Sequence, residues 1–524
     1  MPTTAQFARY SSTQRRDMKI WACLCLGILL SACVAGPDYK RPDAPEDSGY
    51  IQDESVTQTG LTPDDDPQAQ TFKRAGEVQT EWYRLLGSPV LDALVQSALR
   101  NSPSLRAARA QLNAAHEQLN ATQAGLYPTL GASANVSRNK TSGTAIGIDN
   151  PLFTNLFTLY QGQLSLGYNL DIFGEVRRGI EGAQAQMDFQ HYELINTYLT
   201  LINNVVATAL AQAGVQDTVD ATERIIDTQQ ENLDLLQDKL ALGAVARSDV
   251  LRAKSQFAAS QAQLPPLKKQ LVIAQHRLAR LTGVSPANFQ APTLHLADFT
   301  LPRELPVSLP SELVRQRPDI LAAESVLHAA NASVGVAAAQ RLPHLRISAD
   351  YTRQGLDLSA LTDPAAVVYN FGAGLAAPLF DGGRLKANER AAQASRDAAA
   401  ARYDATVLVA FTEVADTLRA LQVDLENLNA QQQALNAAQE NLDLVQAQLE
   451  QGAADNLNLF IAQNQFQRAL IAVTNARLAR YRDTATLFRA LGGGWWNSQA
   501  EIAPGIQAQA TSGASTPAHS QSRK

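Results

Sequence analysis

The chain has 524 residues, of which 18% are charged and 6% aromatic, and its formal net charge is −6. This acidic balance argues against binding to nucleic acid. The three cysteines, Cys23, Cys25 and Cys33, all precede residue 34. The rest of the chain therefore has no disulfide framework, cysteine zinc cluster or catalytic cysteine–histidine pair.

The first predicted element is an export signal in residues 1–32. Lys19 gives it a basic start, and the apolar run at 20–30 is too short to cross a bilayer as a mature helix. Residues 30–33, Leu-Ser-Ala-Cys, resemble the lipobox of bacterial lipoproteins. This resemblance implies cleavage before Cys33 and acylation of its sulfur and its new amino group. The alternative is an ordinary secretory signal in which the cysteine is incidental.

Translation has two candidate starts, Met1 and Met18, because a complete signal begins at Met18 and leaves residues 1–17 as an unused upstream start. Residues 33–85 are predicted to form a lipidated N-terminal segment. The residue after Cys33 is valine and not aspartate. The lipoprotein resemblance then implies sorting to the outer membrane of a Gram-negative bacterium.

Most of the remaining chain consists of two copies of one repeat. Residues 235–257, LLQDKLALGAVARSDVLRAKSQF, parallel residues 444–466, LVQAQLEQGAADNLNLFIAQNQF. Self-similarity of this kind indicates a repeated architecture. The predicted divisions are repeat 1 at 86–283, a linker at 284–310, repeat 2 at 311–494 and a disordered tail at 495–524.

Each repeat opens with a predicted helix, at 91–124 or 311–340, which ends before a proline. Apolar residues then alternate with small or polar ones at a period of two, which predicts half-buried strands. The alternating segments are 129–138, 163–172, 345–352 and 369–375, with loops between the paired strands at 139–160 and 354–368.

Very long helices follow the strands in both repeats. Residues 175–242 and 384–451 contain no proline, and helices of that length would extend about 100 Å. Shorter helices return at 247–282 and 456–491. Such lengths exceed those of ordinary globular helices and favour coiled-coil packing.

Small and polar residues form the turns between the long and the short helices. Gly243 and Gly452 are placed where a helix end requires a positive φ. Ser248 and Asp455 are predicted N-caps of the returning helices. We expect the pair at 265–266, Pro-Pro, to bend or break the first returning helix.

The strands decide between two classes of protein. Alternating segments of about ten residues are typical of outer-membrane barrels, with the apolar face toward lipid. The alternative is a soluble antiparallel sheet with one solvated face. Four strands cannot close a barrel, because open sheet edges in lipid leave backbone groups without partners. Several protomers must therefore contribute strands if the membrane interpretation is right.

Several motifs together resemble one family. They are GPDYKRP at 36–42, WYRLLGSPVLDALVQSALRNSPSLRAARAQL at 82–112, YNLDIFGEVRRGIEGA at 168–183, QRPDILAAE at 316–324 and APLFDGGRLKA at 377–387. The chain resembles TolC-type outer membrane factors, in the NodT-like branch of efflux lipoproteins.

The implied fold class is mostly α with a membrane β-barrel portion and a two-fold internal repeat of helix–strand–strand–long helix–helix. The resemblance implies a homotrimer with a 12-stranded β-barrel in outer membrane lipid and an α-helical barrel tunnel in the periplasm. The linker would belong to an equatorial region. The implied partners are a periplasmic adaptor (membrane fusion protein) and an inner-membrane pump of the resistance-nodulation-division (RND) type.

The resemblance also assigns roles to the turns farthest from the barrel. They would dock the periplasmic adaptor, although turn chemistry alone would explain the same residues. The residues concerned are Gly243, Ala244, Val245, Ser248, Gly452, Ala453 and Asp455.

The resemblance also makes two acidic residues near these turns candidates for the periplasmic entrance. Asp443 in three copies would form an acidic ring that favours cations. Asp234 holds the matching position in the first repeat. The alternative for both is a solvated charge on the outer face of a long helix, and it is the favoured interpretation for Asp234.

Glycines stand where strands become helices: Gly174 in the first repeat, and Gly382 and Gly383 in the second. They are predicted to make the backbone bend that carries a strand into the tunnel wall. The seven histidines are scattered, and the chain has no Walker loop, GxGxxG or nucleophile elbow. We therefore expect no enzyme activity, no metal and no cofactor besides the covalent lipid on Cys33.

Three functions remain open at this point. The first is a passive duct that carries drugs or other small toxic compounds out of the periplasm as part of a tripartite RND-type efflux system. The second is the same duct serving type I protein secretion. The third is a lipid-tethered periplasmic coiled-coil adaptor, which would have no need of four lipid-facing strands.

Overall fold

The structure, a computed structural model, describes residues 34–45, 49–50, 69–74, 76, 78–141 and 155–497. Its helices are α1 (Pro89–Asn101), α2 (Pro103–Gln123), α3 (Glu175–Ala241), α4 (Arg247–Leu281), α5 (Pro310–Gln316), α6 (Pro318–Ala339), α7 (Arg384–Glu450) and α8 (Asn456–Ala490). Its strands are β1 (Thr71–Arg74), β2 (Thr129–Thr141), β3 (Asn155–Leu170), β4 (Glu304–Val307), β5 (His344–Gly355) and β6 (Val367–Ala376). The predicted signal, Cys33 and the chain after Asn497 lie outside the described residues.

The helix that opens each predicted repeat is divided in two, so the prediction of a single helix there is wrong. α1 and α2 are separated at Ser102 (ψ 123°), and α5 and α6 are separated at Arg317 (ψ 123°). Each of these residues precedes a proline, Pro103 or Pro318, whose ring disfavours the helical conformation of the residue before it.

The long helices match their predicted bounds within one residue. α3 and α7 each have 67 residues, and the returning helices α4 and α8 each have 35. The proline pair was expected to bend or break this helix, and it does not break it, because α4 runs on through Pro265 and Pro266. The prolines remove two backbone donors from α4, and the helix nevertheless continues on both sides of them.

The strands reach further than the alternation predicted. β2 and β3 extend into the predicted loop at 139–160, because Asn139 pairs with Phe157 and Val136 with Tyr160. No period of two is visible there, because residues 139–141 are all polar and apolar residues occupy adjacent positions at 156–157. The second loop contains two short 3₁₀ turns, at Leu358–Thr362 and Pro364–Ala366.

The chain forms two compact units. The sheet unit comprises the described residues among 34–41, 113–189 and 323–403. It contains one antiparallel sheet in the order β2-β3-β5-β6, together with the helix segments that adjoin these strands in sequence. The prediction of four strands is confirmed, and their joint sheet is what positions the candidate site.

The helical unit comprises the described residues among 42–112, 190–322 and 404–497. Buried Trp82 stacks on Phe488, with ring centroids 5.3 Å apart. Trp495 is also buried and donates its indole N–H to the carbonyl of Gln316 at 2.7 Å. The packed structure therefore continues past the predicted start of the tail at residue 495. The unit also holds a small parallel sheet, β1-β4, that the sequence did not predict.

Candidate functional site: sheet faces, helix junctions and hairpin ends

The pairing register places the four alternating segments on common faces of one sheet. Because side chains alternate along a strand, residues paired across strands share a face. One apolar row consists of Leu130, Leu166, Ala349 and Phe371, and the next consists of Ala132, Leu164, Tyr351 and Tyr369. The alternation seen in each strand separately therefore adds up to a continuous apolar face.

Large side chains on this face are exposed. Leu130 is 74% exposed, Phe371 75% and Tyr369 80%. An apolar patch that crosses four strands is far larger than the scattered apolar residues of ordinary soluble surfaces. This face is suited to contact with lipid hydrocarbon.

The opposite face carries small and polar residues. One row across the four strands reads Gly131, Ser165, Asp350 and Asn370. The Gln163 amide donates to Asp350 Oδ1 at 2.9 Å, which links β3 to β5 on this face. Such a surface is suited to contact with water.

Within the part of the chain that the structure describes, the two outer strands of the sheet have one unpaired edge each. Among the described residues, β2 pairs only with β3, and β6 pairs only with β5. An exposed edge of 10 to 13 residues is a template for pairing with another chain.

The strand-to-helix junctions combine a left-handed glycine with a capping aspartate. Gly174 has φ +80°, and Gly382 and Gly383 have φ +69° and +89°, so the backbone turns there in a conformation that favours glycine. Asp171 accepts from the backbone N–H groups of Val176 and Arg177, each at 3.0 Å.

Asp381 caps the start of α7 in the same way. It accepts from the N–H of Gly383 at 2.9 Å and of Leu385 at 2.8 Å. The hydrogen bond from Leu385 is the main cause of the lowered pKa of Asp381. Neither aspartate was singled out from the sequence. The signal was available as an aspartate a few residues ahead of each long proline-free helix.

The ends of the long helices have one geometry. Gly243 and Gly452 both have φ +73°. Ala244 N–H donates to Lys239 O and Ala453 N–H donates to Gln448 O, each at 2.8 Å. This is the Schellman arrangement, which satisfies the last carbonyl groups of a helix.

The returning helices start differently in the two turns. Asp455 is the N-cap of α8, and its carboxylate accepts from Asn458 N–H at 2.9 Å. The prediction that Ser248 caps α4 is wrong, because α4 begins at Arg247 with Ala246 as its N-cap. Asp249 instead reaches back and accepts from Ala246 N–H at 3.2 Å. Val245 lies in the turn between α3 and α4.

The two candidate entrance residues have matching surroundings. Asp234 on α3 accepts from the Gln230 amide at 2.8 Å, and Asp443 on α7 accepts from the Gln439 amide at 2.7 Å. Both carboxylates are exposed. Their local geometry therefore gives no reason for one to behave differently from the other.

The segment that follows Cys33 is held along the sheet unit. Ala35 N–H donates to Phe173 O at 2.9 Å, and Asn331 donates its amide to Pro37 O at 3.0 Å. The Tyr39 ring stacks on His328 with centroids 4.1 Å apart. Partial burial, assisted by the Glu324 carboxylate, raises the pKa of Tyr39. Tyr39 thus packs this segment against the sheet unit.

Comparison with known proteins places these features in a family. A family model described as outer membrane efflux protein matches residues 94–284 and 309–493. The pyoverdine export outer membrane protein OpmQ of Pseudomonas aeruginosa is 30% identical over 499 residues, which cover 93% of this chain and 99% of OpmQ. The toluene efflux pump outer membrane protein TtgC of Pseudomonas putida is 28% identical over 483 residues, covering 90% of this chain and 96% of TtgC. SilC of Salmonella typhimurium, described as a probable outer membrane lipoprotein, is 26% identical over 469 residues, which cover 89% of this chain and 97% of SilC.

Solved channel structures share the fold. The outer-membrane channel OprN superposes with a TM-score of 0.79 at 27% identity, covering 88% of this chain and all of OprN, that is 100%. The open state of the MtrE channel of Neisseria gonorrhoeae gives a TM-score of 0.75 at 26% identity, covering 88% of this chain and 98% of MtrE. The CmeC channel of Campylobacter jejuni gives 0.81 at 20% identity over 90% of this chain and 98% of CmeC, which supports the fold alone.

The sequence, the sheet and these similarities agree on one class of protein. The fold is that of TolC-like outer membrane channels and is mostly helical. The matching proteins are channel components of efflux systems and not enzymes. The chain belongs to the outer membrane efflux protein family, in its NodT-like lipoprotein branch, and is an outer membrane efflux channel protein.

Proposed function

We propose that three copies of this chain form a passive duct that carries small toxic compounds from the periplasm to the exterior. The observation that carries the proposal is the sheet, with one apolar face, one polar face and two edges that no described strand pairs with. A spanning sheet must close, since lipid offers backbone groups no partners. Pairing of the β6 edge of one copy with the β2 edge of the next would remove all edges.

The size of the enclosed space argues against two copies, and the number three is the one implied by the family resemblance. Two copies would give eight strands, and the interior of such a barrel is filled by side chains. Three copies would give twelve strands and leave an open lumen. The polar rows that contain Asp350 and Gln163 would line it, and the apolar rows would face lipid.

The long helices of the three copies would form the tunnel in the periplasm. The left-handed glycines Gly174, Gly382 and Gly383 would carry the strands into its wall. At the far ends, the turns at 242–246 and 451–455 would dock a periplasmic adaptor. The exposed side chains there include those of Ala244 and Ala453. Through the adaptor, the duct would serve an inner-membrane pump of the RND type.

The lipid would be a second tether. Cys33 would carry it, and the segment bound at Ala35, Pro37 and Tyr39 would lead from it to the sheet unit. No other cofactor enters the proposal, because a passive duct needs only a polar lumen.

The names of the relatives favour small compounds over secreted proteins. OpmQ is named for pyoverdine export and TtgC for toluene efflux. We therefore propose efflux of small compounds for this chain, with the choice of compound left to the pump. A deletion strain should become sensitive to toxic compounds while it secretes proteins normally. Loss of a secreted protein without such sensitivity would favour type I secretion.

The duct is tested with the full-length protein in detergent and in planar bilayers. We expect a mass of three chains and stable ion conductance. Leu130→Asp, on the apolar face of β2, should abolish membrane assembly. Ser133→Asp, on the polar face of the same strand, should assemble and conduct. A water-soluble monomer after removal of the lipid, or equal effects of the two substitutions, would refute the proposal.

A further inference from the structure

Two acidic residues and a histidine meet within the helical unit. Asp217 and Asp220 lie three residues apart on α3 and therefore on the same side of the helix. His295 belongs to the segment between α4 and β4. Its Nδ1 lies 2.8 Å from Asp217 Oδ1 and 3.6 Å from Asp220 Oδ2. One ligand atom from each residue lies within 4.8 Å of the other two.

Hydrogen bonds from outside the group hold the carboxylate oxygens that point away from its centre. The N–H of Leu296 donates to Asp217 Oδ2 at 3.0 Å, and the Gln216 amide donates to Asp220 Oδ1 at 2.7 Å. The inner atoms Oδ1 of Asp217 and Oδ2 of Asp220 are left facing the imidazole. Outer contacts of this kind orient the ligands of metal sites in proteins.

We propose that Asp217, Asp220 and His295 form a binding site for a divalent transition metal ion, with zinc the best match. Zinc binds imidazole nitrogen and carboxylate oxygen at about 2.0–2.2 Å, so neighbouring ligand atoms of a tetrahedral site lie about 3.3 Å apart. The distance from His295 Nδ1 to Asp220 Oδ2, 3.6 Å, is close to that value. The distance to Asp217 Oδ1 must open by about half an ångström.

The chemistry of the three ligand side chains favours some metal ions over others. Imidazole with two carboxylates is a poor match for Ca²⁺ and Mg²⁺, which prefer all-oxygen shells, and it lacks the sulfur that Cu⁺ prefers. The side chains of the three residues are 38%, 27% and 30% exposed, in the order His295, Asp217, Asp220. Water can therefore complete the coordination.

His295 Nδ1 and Asp217 Oδ1 share one hydrogen bond, at 2.8 Å. Binding of zinc would replace this hydrogen bond by a three-point link between α3 and the segment at 295–298, and the free energy of metal binding adds to that of folding. Zinc should therefore stabilise the helical unit.

The test uses the full-length protein in detergent, stripped with a chelator and titrated with ZnCl₂ by calorimetry and by thermal melting. We expect one zinc per chain and a higher melting midpoint. His295→Gln and Asp220→Asn should each weaken binding at least tenfold and remove the shift of the midpoint. His276→Gln is the control, since His276 is exposed on α4 and outside the group.

Asp220→Asn keeps the link from Asp217 to Leu296, so it separates loss of metal from loss of the fold. CaCl₂ should not bind at this site. The proposal is wrong if the stripped wild-type protein binds no zinc, or if Asp220→Asn and His295→Gln bind it as the wild type does. Equal loss in the His276→Gln variant would assign the zinc to scattered surface histidines and would also overturn it.

Discussion

Arg178 joins the segment behind the predicted lipidation site to the first long helix. Its Nη2 lies 2.6 Å from Asp38 Oδ1, and its Nη1 lies 2.6 Å from Glu181 Oε2. Its Nε donates to Ala35 O at 3.2 Å. Only 6% of the Arg178 side chain is exposed, whereas 89% of the Asp38 side chain is. We therefore expect the contacts of Arg178 with Ala35 and Glu181 to stabilise the segment more than its ion pair with Asp38 does, because exposed ion pairs contribute little.

Arg178→Met should release the segment at 34–41. It removes the donor from the Ala35 carbonyl and from Glu181 Oε2, which costs about 1–3 kcal/mol, although Glu181 Oε1 keeps its contact with His328. Hydrogen exchange of this segment and its cleavage by added protease should both become faster. Asp38→Asn is the control and should change either rate little. Unaltered exchange in Arg178→Met would show that the other contacts hold the segment by themselves.

Gly335→Ala should also disturb Arg178, through contact with its side chain. A Cβ added at Gly335 would lie 2.8 Å from Arg178 Cγ and 2.9 Å from its Cδ, so the guanidinium must move or the helices must separate. We expect a lower melting midpoint and faster exchange of the segment at 34–41.

Gly182→Ala is the matched control in the neighbouring helix. Its added Cβ would meet Ala332 Cβ at 3.5 Å, an ordinary contact. Because alanine favours a helix over glycine by about 1 kcal/mol, this variant should be as stable as the wild type or more so. A Gly335→Ala variant that behaved in the same way would contradict the close contact.

Arg317 is the corresponding buried cation of the helical unit. Its side chain is 5% exposed and binds Asp319 at 2.6 Å and Glu413 at 3.0 Å. It also donates to the carbonyl of Ala490, the last residue of α8, at 3.1 Å. It thereby ties the start of α6 to both α7 and α8.

Arg317→Met should destabilise the protein strongly, because removal of one partner from a buried ion pair costs about 3–5 kcal/mol. Arg315→Met, exposed two residues earlier, should be neutral. Denaturant melts of both variants measure the difference. A midpoint for Arg317→Met equal to that of Arg315→Met would mean that water replaces the lost contacts.

The elements that could be predicted from the sequence are those whose residue pattern repeats over a few positions. The alternation around Leu130 or Phe371 repeats every two residues, and the 67-residue helices lack proline, so both are visible within one short window. The glycines Gly243 and Gly452 could be placed for the same reason, since a helix end needs a left-handed residue nearby.

The parts that the sequence missed depend on partners far away in the chain. Arg178 and Asp38 are 140 residues apart, and His295 and Asp217 are 78 apart. No pattern of charge or hydropathy near one residue indicates the other. The strands β1 and β4 have only four residues each and meet across more than two hundred, so they are too short to show a period.

Asp424 should make stability depend on pH. Burial, followed by the nearby charge of Asp483, raises the pKa of Asp424 to about 7. The folded state therefore keeps a proton that the unfolded state loses near pH 4. Stability should fall as pH rises from about 4 to about 7 and stay level above that.

Asp424→Asn should flatten this slope and raise the melting midpoint at pH 8. Asp416→Asn, an exposed position on the same helix, should keep the wild-type profile. Melting curves in one buffer series from pH 4 to pH 8 supply the comparison. If the two variants have the same slope, Asp424 is not the group responsible.

Asp443 and Asp234 allow a direct test of the acidic ring at the periplasmic entrance. Both are exposed and each accepts one amide hydrogen bond from the glutamine four residues earlier, so Asn should fit equally well at either position. In the proposed trimer only Asp443 would line the constriction, where three carboxylates attract cations. Asp443→Asn should therefore shift the reversal potential in a salt gradient toward that of a non-selective pore, and Asp234→Asn should leave it unchanged. No shift in either variant would place both aspartates on the solvated outer face of the long helices, and equal shifts in the two variants would contradict the assignment of the constriction to Asp443 alone.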